Sequence, residues 1–525
     1  MKKNPVIITI TFSSWFILVF FVIWPWIHQL DSKDYLFSYL AHLNAIIWWI
    51  VLFWAFHHLG YKFFSFFKQD LIDTSSNKDI PEIAILYLTC DDFIENACGS
   101  CIEQDYPHFR LLICDDSSLL GNQHRIEEFT KKQSLNSSKI RLIRRNKKNG
   151  YKAGNINHAL RNEIKEDWFL LVDADQILPK KYLSQLVKNI PKNPTNTAFI
   201  QAASKAYDDH EEISVFQSAM GPEVSLFYNR DLSYRENCGF LPLLGHGALI
   251  NTKICKSLGG FPEIVSEDFA YALRAVNQKK RGIYVENVSS NEAFPFDFGG
   301  FIIRLKKFSG GTAEIFKREL SKFLFGPATF IEKYDFFILM IWYLLMPLIV
   351  LNSYLGAYIV HGLWSQEIIY LHPALPYLYT GMFISIFVLN NSITKNWGKT
   401  LRFYFWSTAI YSAALPGAGW SFVKNLLFGK PRFNRTPKGS YYTPLNLRES
   451  VFMVMLGLIA CGFSLYFLSP FSPILLGQGI AYLSYPFYSQ LNRATIIGQF
   501  ARIIIYIPGL MMMFALYAMW IWGRY

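Results

Sequence analysis

The spacing of long apolar runs constrains this chain more than any other feature. Residues 6–27 and 35–56 are two runs without a charged side chain. Each reaches the roughly 20 residues that an α-helix needs to cross a bilayer. Residues 80–300 hold no such run, and further apolar stretches then fall at 336–360, 370–389, 403–428, 451–468 and 496–522. The chain is 52% hydrophobic, too apolar for an ordinary soluble protein, yet its middle is too charged for a membrane bundle alone. The expected architecture is a soluble domain set between membrane helices.

The first run follows Lys2 and Lys3 and ends in Trp24-Pro25-Trp26 with no small-residue cleavage site. It therefore reads as a spanning helix with an interfacial aromatic belt rather than a signal peptide. With 35–56 it makes a hairpin, and basic residues at both ends put the N-terminus and residue 60 onward in the cytosol. The net charge of +12 marks cytosolic loops beside anionic lipid rather than a nucleic-acid partner. Stretch 403–428 is interrupted by Pro416-Gly417-Ala418-Gly419 and lies between two basic segments, 390–402 and 424–448. If both are cytosolic, 403–428 is interfacial or re-entrant, leaving six spanning helices, two before the soluble domain and four after. The boundaries expected are a hairpin at 1–60, a cytosolic domain at 61–300, amphipathic interface helices at 301–333 and a membrane region at 334–525.

Within the polar middle, short β-rich segments at 83–88, 109–114, 140–144 and 168–172 alternate with helix-like stretches. That alternation predicts a mostly parallel α/β sheet of nucleotide-binding type. No GxGxxG or P-loop is present, which argues against dinucleotide and NTPase functions. Strand 168–172 stops at Asp173-Ala174-Asp175. Residues i and i+2 share a face, so both carboxylates can point off the strand end and hold a hard cation, Mg2+ or Mn2+. Taken alone, Asp-x-Asp is more often a solvated turn. Strand 109–114 ends in Asp115-Asp116, and Gly150-Tyr151-Lys152-Ala153-Gly154-Asn155 frames a lysine suited to a diphosphate. Ser266-Glu267-Asp268 opens a helix, with Ser266 as its cap and Asp268 as a general base. The lone Cys98-Gly99-Ser100-Cys101 reads as buried thiols rather than a zinc site.

In this order and spacing, these clusters resemble the family 2 processive membrane glycosyltransferases, the group of cellulose, chitin and hyaluronan synthases. The family pattern is Asp, Lys-Ala-Gly-Asn, Asp-x-Asp, Thr/Ser-Glu-Asp, then Gln-x-x-Arg-Trp. The resemblance implies a GT-A type nucleotide-sugar domain inserted in a transmembrane bundle. It implies that Asp116 contacts the nucleoside and Lys152 the diphosphate. Asp173 would hold the diphosphate side and the metal, and Asp175 the metal. Asp268, beside Glu267, would deprotonate the acceptor. Gly245-His246-Gly247 matches an acceptor-lining segment. The last motif departs from the pattern. Arg304, Lys307 and Phe308 stand at its Gln, Arg and Trp, so Lys307 meets phosphate without a bidentate fork. Phe433 to Gly439 resembles the family's gating loop, within 429–445, which places Thr436 and Lys438 over the donor.

The activity implied is inverting transfer from a UDP-sugar, UDP-glucose or UDP-N-acetylglucosamine, to a growing β-linked polysaccharide carried across the plasma membrane. Two alternatives stand beside it. One is addition of a single sugar to a lipid-linked or cell-wall acceptor, which the altered Arg304–Phe308 motif favours. The other is an inactive sugar-binding transport or scaffold protein, which the retention of Asp116, Asp173, Asp175 and Asp268 disfavours.

Overall fold

The computed structural model describes residues 5–24, 34–64, 80–134, 139–207, 213–365, 374–431, 437 and 442–522. Helix α1 (Val6–Leu18), extended by a π-helical turn (Val19–Ile23), packs against α2 (Tyr35–Phe64) as the expected hairpin. Trp15 ties the two, its indole donating to the Trp49 carbonyl at 3.2 Å.

The middle of the chain is built on a seven-stranded sheet ordered β3-β2-β1-β4-β6-β5-β7. The strands are β1 (Ile83–Thr89), β2 (Phe109–Asp115), β3 (Ile140–Arg144), β4 (Trp168–Asp173), β5 (Thr197–Ala206), β6 (Ala248–Asn251) and β7 (Arg281–Glu292). Only β6 runs antiparallel to its neighbours. All seven residues of β1 are buried, as expected for a strand covered on both faces. Alternate residues feed two cores. Leu86, Leu112, Phe169 and Leu171 face α3 (Tyr151–Asn162), and Ile85, Tyr87, Ile113 and Leu170 face the other side. Two further helices of this domain matter for the site, the short α4 (Pro222–Leu226) and α5 (Glu267–Asn277). Ser266 stands at the N-cap of α5 but makes no side-chain capping bond. A Cβ on Gly311 would sit 2.1 Å from its hydroxyl oxygen, so Ser266 packs against the next helix instead.

That helix, α6 (Phe298–Arg318), leads through α7 (Phe330–Ser365), α8 (Ala374–Thr394), α9 (Trp397–Leu427) and α10 (Leu447–Tyr466) to α11 (Ser472–Leu483), α12 (Ile496–Ile504) and α13 (Ile507–Trp522). Among the described residues, four helical segments are long and apolar enough to span a membrane: Tyr35–Gly60, Phe330–Leu363, Leu447–Tyr466 and Ile496–Ile521. The other two expected spans appear as shorter apolar helices, Ile8–Phe21 and Thr380–Thr394.

One expectation is corrected. The stretch at 403–428 is not broken by its Pro and Gly residues, because α9 runs unbroken through Pro416. The glycines serve close packing: a Cβ on Gly419 would lie 2.8 Å from the Pro347 ring of α7. The segment at 301–333 begins within a helix that packs one face against the bundle. Residues Phe298 to Ile302 and Ser309 to Ile315 of α6 are buried, largely against α9, and Ser309 donates to the Ala418 carbonyl at 2.6 Å.

Candidate active site

Three strands end at one level. Thr89 of β1 lies opposite Asp115 of β2, and Leu88 lies opposite Asp173 of β4. The carboxyl ends of such strands are where open α/β sheets bind ligands. A cavity of about 1070 Å³ covers this edge and reaches α6, α7 and α9. Asp116, Lys152, Asp173, Asp175, Glu267, Asp268 and Lys307 all line it, as do His246, Arg304 and Phe308. Ten expected site residues, spread over almost two hundred positions, thus share one space. Thr436 and Lys438 lie outside the described residues, although Pro437 between them lines the cavity.

Beside the end of β2 Asp116 is buried and gripped by Arg145, with Nε donating to Oδ1 at 2.9 Å and Nη2 to Oδ2 at 2.6 Å. Arg144 donates once to Asp115, from Nε to Oδ2 at 2.7 Å, and turns its other nitrogens to Glu127 and the Gln123 carbonyl. Neither arginine was expected. The signal was available, since Asp115 of β2 pairs in register with Arg144 of β3, which sets two acids beside two bases at neighbouring strand ends.

Lys152 sits at the centre. Its Nζ donates to Asp173 Oδ1 at 2.6 Å and to the Gly245 carbonyl at 2.7 Å. Burial alone would lower its pKa, but Asp173 and Glu267 outweigh burial and raise it, so the lysine stays charged. Gly245 has φ +77°, and a Cβ there would meet Asp268 Oδ2 at 2.8 Å. The bare glycine lets the backbone bound by Lys152 lie directly against Asp268. Burial pushes Glu267 up to about 7, with Asp268 adding to the shift and Lys152 opposing it. Burial also raises Asp268, against Lys152 and Lys307. A carboxylate with a raised pKa in a cleft suits proton transfer near neutral pH.

Among the described residues no group of three His, Cys, Asp or Glu side chains is set to hold a metal. The donor set still fits Mg2+ or Mn2+. Asp173 and Asp175 offer hard oxygens in one cavity, and such ions commonly take one or two carboxylates and fill the remainder with substrate phosphates and water.

At the far end His246 Nε2 lies 3.2 Å from Glu292 Oε2, which also accepts from Ser204 at 2.9 Å. Arg304 is stacked between the rings of Phe294 and Phe308, with centroids 5.1 and 5.4 Å from its guanidinium carbon, and stands 3.8 Å from Glu223 of α4. Burial raises Glu223, opposed by Arg304 and a hydrogen bond from Tyr411. Phe308 is 38% exposed, so its ring has area left for a ligand. Glu292 and Glu223 were missed because they reach the site only through long-range packing. Away from the cavity, Cys98 and Cys101 are both buried, and burial raises both thiols, Cys101 to about 12.

Residues 168–389 match the family described as "Glycosyl transferase family group 2". Among curated relatives, a probable glucomannan 4-beta-mannosyltransferase 14 of Arabidopsis thaliana is 24% identical, over 48% of this chain and 49% of that protein. A probable glucomannan 4-beta-mannosyltransferase 11 of Oryza sativa subsp. japonica is 26% identical, over 43% and 40% respectively. The chain spans about half the length of the curated relatives it matches. Among solved structures, the mannosyltransferase PcManGT from Pyrobaculum calidifontis, in complex with GDP-Man and Mn2+, matches with a TM-score of 0.48 and 17% identity. That match covers 74% of this chain and 99% of the other.

Proposed function

We propose that this chain is a membrane-embedded, metal-dependent, inverting glycosyltransferase that moves a sugar from a nucleotide sugar to a growing glycan. One observation carries the reading. The cavity that gathers Asp116, Lys152, Asp173, Asp175 and Asp268 is also lined by residues of the helical bundle. There Tyr404, Ser407, Thr408 and Tyr411 of α9 line it, at the i, i+3, i+4, i+7 spacing that puts them on one helix face. Trp342 and Tyr343 of α7 line the same region. Hydroxyls and aromatic faces together suit a saccharide, so this face is the acceptor path, and a product retained there would leave through the bundle.

In the reaction Asp268 takes the proton of an acceptor hydroxyl, whose oxygen attacks the anomeric carbon as the bond to the diphosphate breaks. The bonding electrons leave with the nucleoside diphosphate. Lys152 and Lys307 neutralise its charge as it departs. Asp173 and Asp175 would hold the cation, whose chemistry is to neutralise the same diphosphate. Attack opposite an α-linked leaving group yields a β-linkage. Glu267, raised to about 7, keeps a second negative charge from facing Asp268 below neutral pH. The catalytic domain faces the cytosol, as the basic loops indicate, at the plasma membrane.

The donor is a hexose carried on a nucleoside diphosphate. The UDP-sugars expected from the sequence form one arm, and the names of the curated relatives add a mannosyl donor as the other. A second reading, one sugar added to a lipid-linked acceptor, is favoured by Lys307 and Phe308 standing where the pattern that the sequence resembles has Arg and Trp. The test is incubation of purified protein with UDP-glucose, UDP-N-acetylglucosamine and GDP-mannose plus Mn2+ or Mg2+, followed by sizing of the product. High-mass polymer supports the first reading and a single addition to lipid the second. Asp268→Asn is expected to abolish transfer and retain nucleotide binding; normal turnover by that variant removes Asp268 as the base.

A further inference from the structure

Tyr151, which no motif assigns a role, opens helix α3 with φ +52°. It is one of four non-glycine residues with positive φ among the described residues. A bulky residue in that region is an outlier that persists only where the surroundings enforce it. Here they do. Gly150 before it is also left-handed, at φ +75°, and the Tyr151 carbonyl accepts from Arg145 Nη2 at 3.0 Å. The same guanidinium grips Asp116 and donates from Nη1 to the Asn149 carbonyl at 2.5 Å. A side chain at Gly154 would collide with that arrangement, its Cβ 1.9 Å from the Asn149 oxygen and 2.4 Å from Nη1. One arginine therefore sets both the Asp116 carboxylate and the turn that carries the Tyr151 ring.

The strained turn leaves Tyr151 45% exposed, lining the same cavity as Asp116, Ser118 and Lys148. Glycine would take this backbone shape without strain, and the tyrosine instead puts an aromatic ring on the cavity wall. A nucleoside needs what this corner holds: a carboxylate for its polar edge and a flat face for its base. We propose that the Tyr151 ring is the platform on which the donor's nucleobase stacks, with Arg145 as the positioning residue that holds ring and carboxylate in one frame. The proposal rests on the reading of the donor as a nucleotide sugar.

The test is calorimetric titration of the purified full chain with UDP, GDP and inorganic diphosphate, each with Mn2+. Wild type is compared with Tyr151→Phe and Tyr151→Gly. Base–aromatic stacking predicts that Tyr151→Gly weakens the better-bound nucleoside diphosphate roughly tenfold or more, while Tyr151→Phe stays within about threefold. Inorganic diphosphate should bind all three proteins alike. The thermal midpoint of Tyr151→Gly should match or exceed wild type, since glycine relieves the strain. A purely structural tyrosine predicts the reverse pairing, lower stability with equal loss of both ligand types, and that result overturns the proposal. Undiminished nucleoside diphosphate binding by Tyr151→Gly overturns it alone. A wild-type protein that binds neither UDP nor GDP overturns this proposal and the donor reading together.

Discussion

Replacing Gly245 with alanine tests the reading of Asp268 as the base without touching a charged group. The new Cβ would lie 2.8 Å from Asp268 Oδ2 and 3.3 Å from its Cβ, whereas ordinary contact begins near 3.4 Å. The carboxylate end must therefore retreat by about 0.6 Å, which a side chain can do by rotating. Misplacing a catalytic group by about 1 Å costs on the order of a hundredfold, so a loss of roughly ten- to a hundredfold in kcat is expected. The φ of +77° at this position adds a backbone cost of about 1–2 kcal/mol for any residue with a side chain. Nucleotide affinity should hardly change, because the Gly245 carbonyl that binds Lys152 need not move. The assay measures kcat and donor KM at saturating acceptor, nucleoside diphosphate affinity and thermal unfolding. In a double-mutant cycle Gly245→Ala should add nothing to the loss caused by Asp268→Asn, because both act on one carboxylate. A folded Gly245→Ala protein with undiminished kcat would refute the argument. So would losses in the two variants that simply multiply.

Three other outcomes follow from the same structure. Burial raises the Glu267 pKa from 4.5 to about 7, so the folded state holds this proton more tightly than the unfolded chain. Stability from this group should fall as pH rises from about 4.5 to about 7, and Glu267→Gln should flatten that part of a plot of thermal midpoint against pH. Lys152 opposes the burial-driven rise at Asp268, so Lys152→Met should move the acidic limb of the kcat/KM profile to higher pH; an unmoved limb would detach Asp268 from that limb. Leu171 is fully buried in β4, and Leu171→Ala should cost about 2–5 kcal/mol, read as a lower denaturation midpoint of the purified protein. A cost under about 0.5 kcal/mol, the range of ordinary surface changes, would contradict the packing described for this strand.

The parts of the fold legible in the sequence share a property: their residues announce themselves locally. β1 and β4 are apolar runs nearly to their ends, and β2 is one from Leu111 to Cys114, because both faces of the sheet are covered there. β5 and β7 were not found. β5 mixes Ala202, Ala203 and Ser204 with a buried Gln201, and β7 pairs with it through a register shift at Ala202/Ala203. Asp116, Asp173 and Asp175 were legible because they sit at or just past strand ends, and Glu267 and Asp268 because they open a helix. The Pro-Gly run in α9 carried the wrong message, since glycine marks a close helix contact as readily as a break. Only the Pro347 ring facing Gly419 tells the two apart.

The sequence by itself determined the elements and the inventory: apolar runs long enough to be membrane helices, strands covered on both faces, and acids at strand ends in a fixed order. Periodicity and chain direction set these, and both act over a few residues. The tertiary structure decided which groups meet. Arg145 closes on Asp116, Lys152 bridges Asp173 and Gly245, and the hydroxyl face of α9 opens onto the same cavity as Asp268. Those meetings join positions tens to hundreds of residues apart. They depend on how buried surfaces fit together, which no local pattern records.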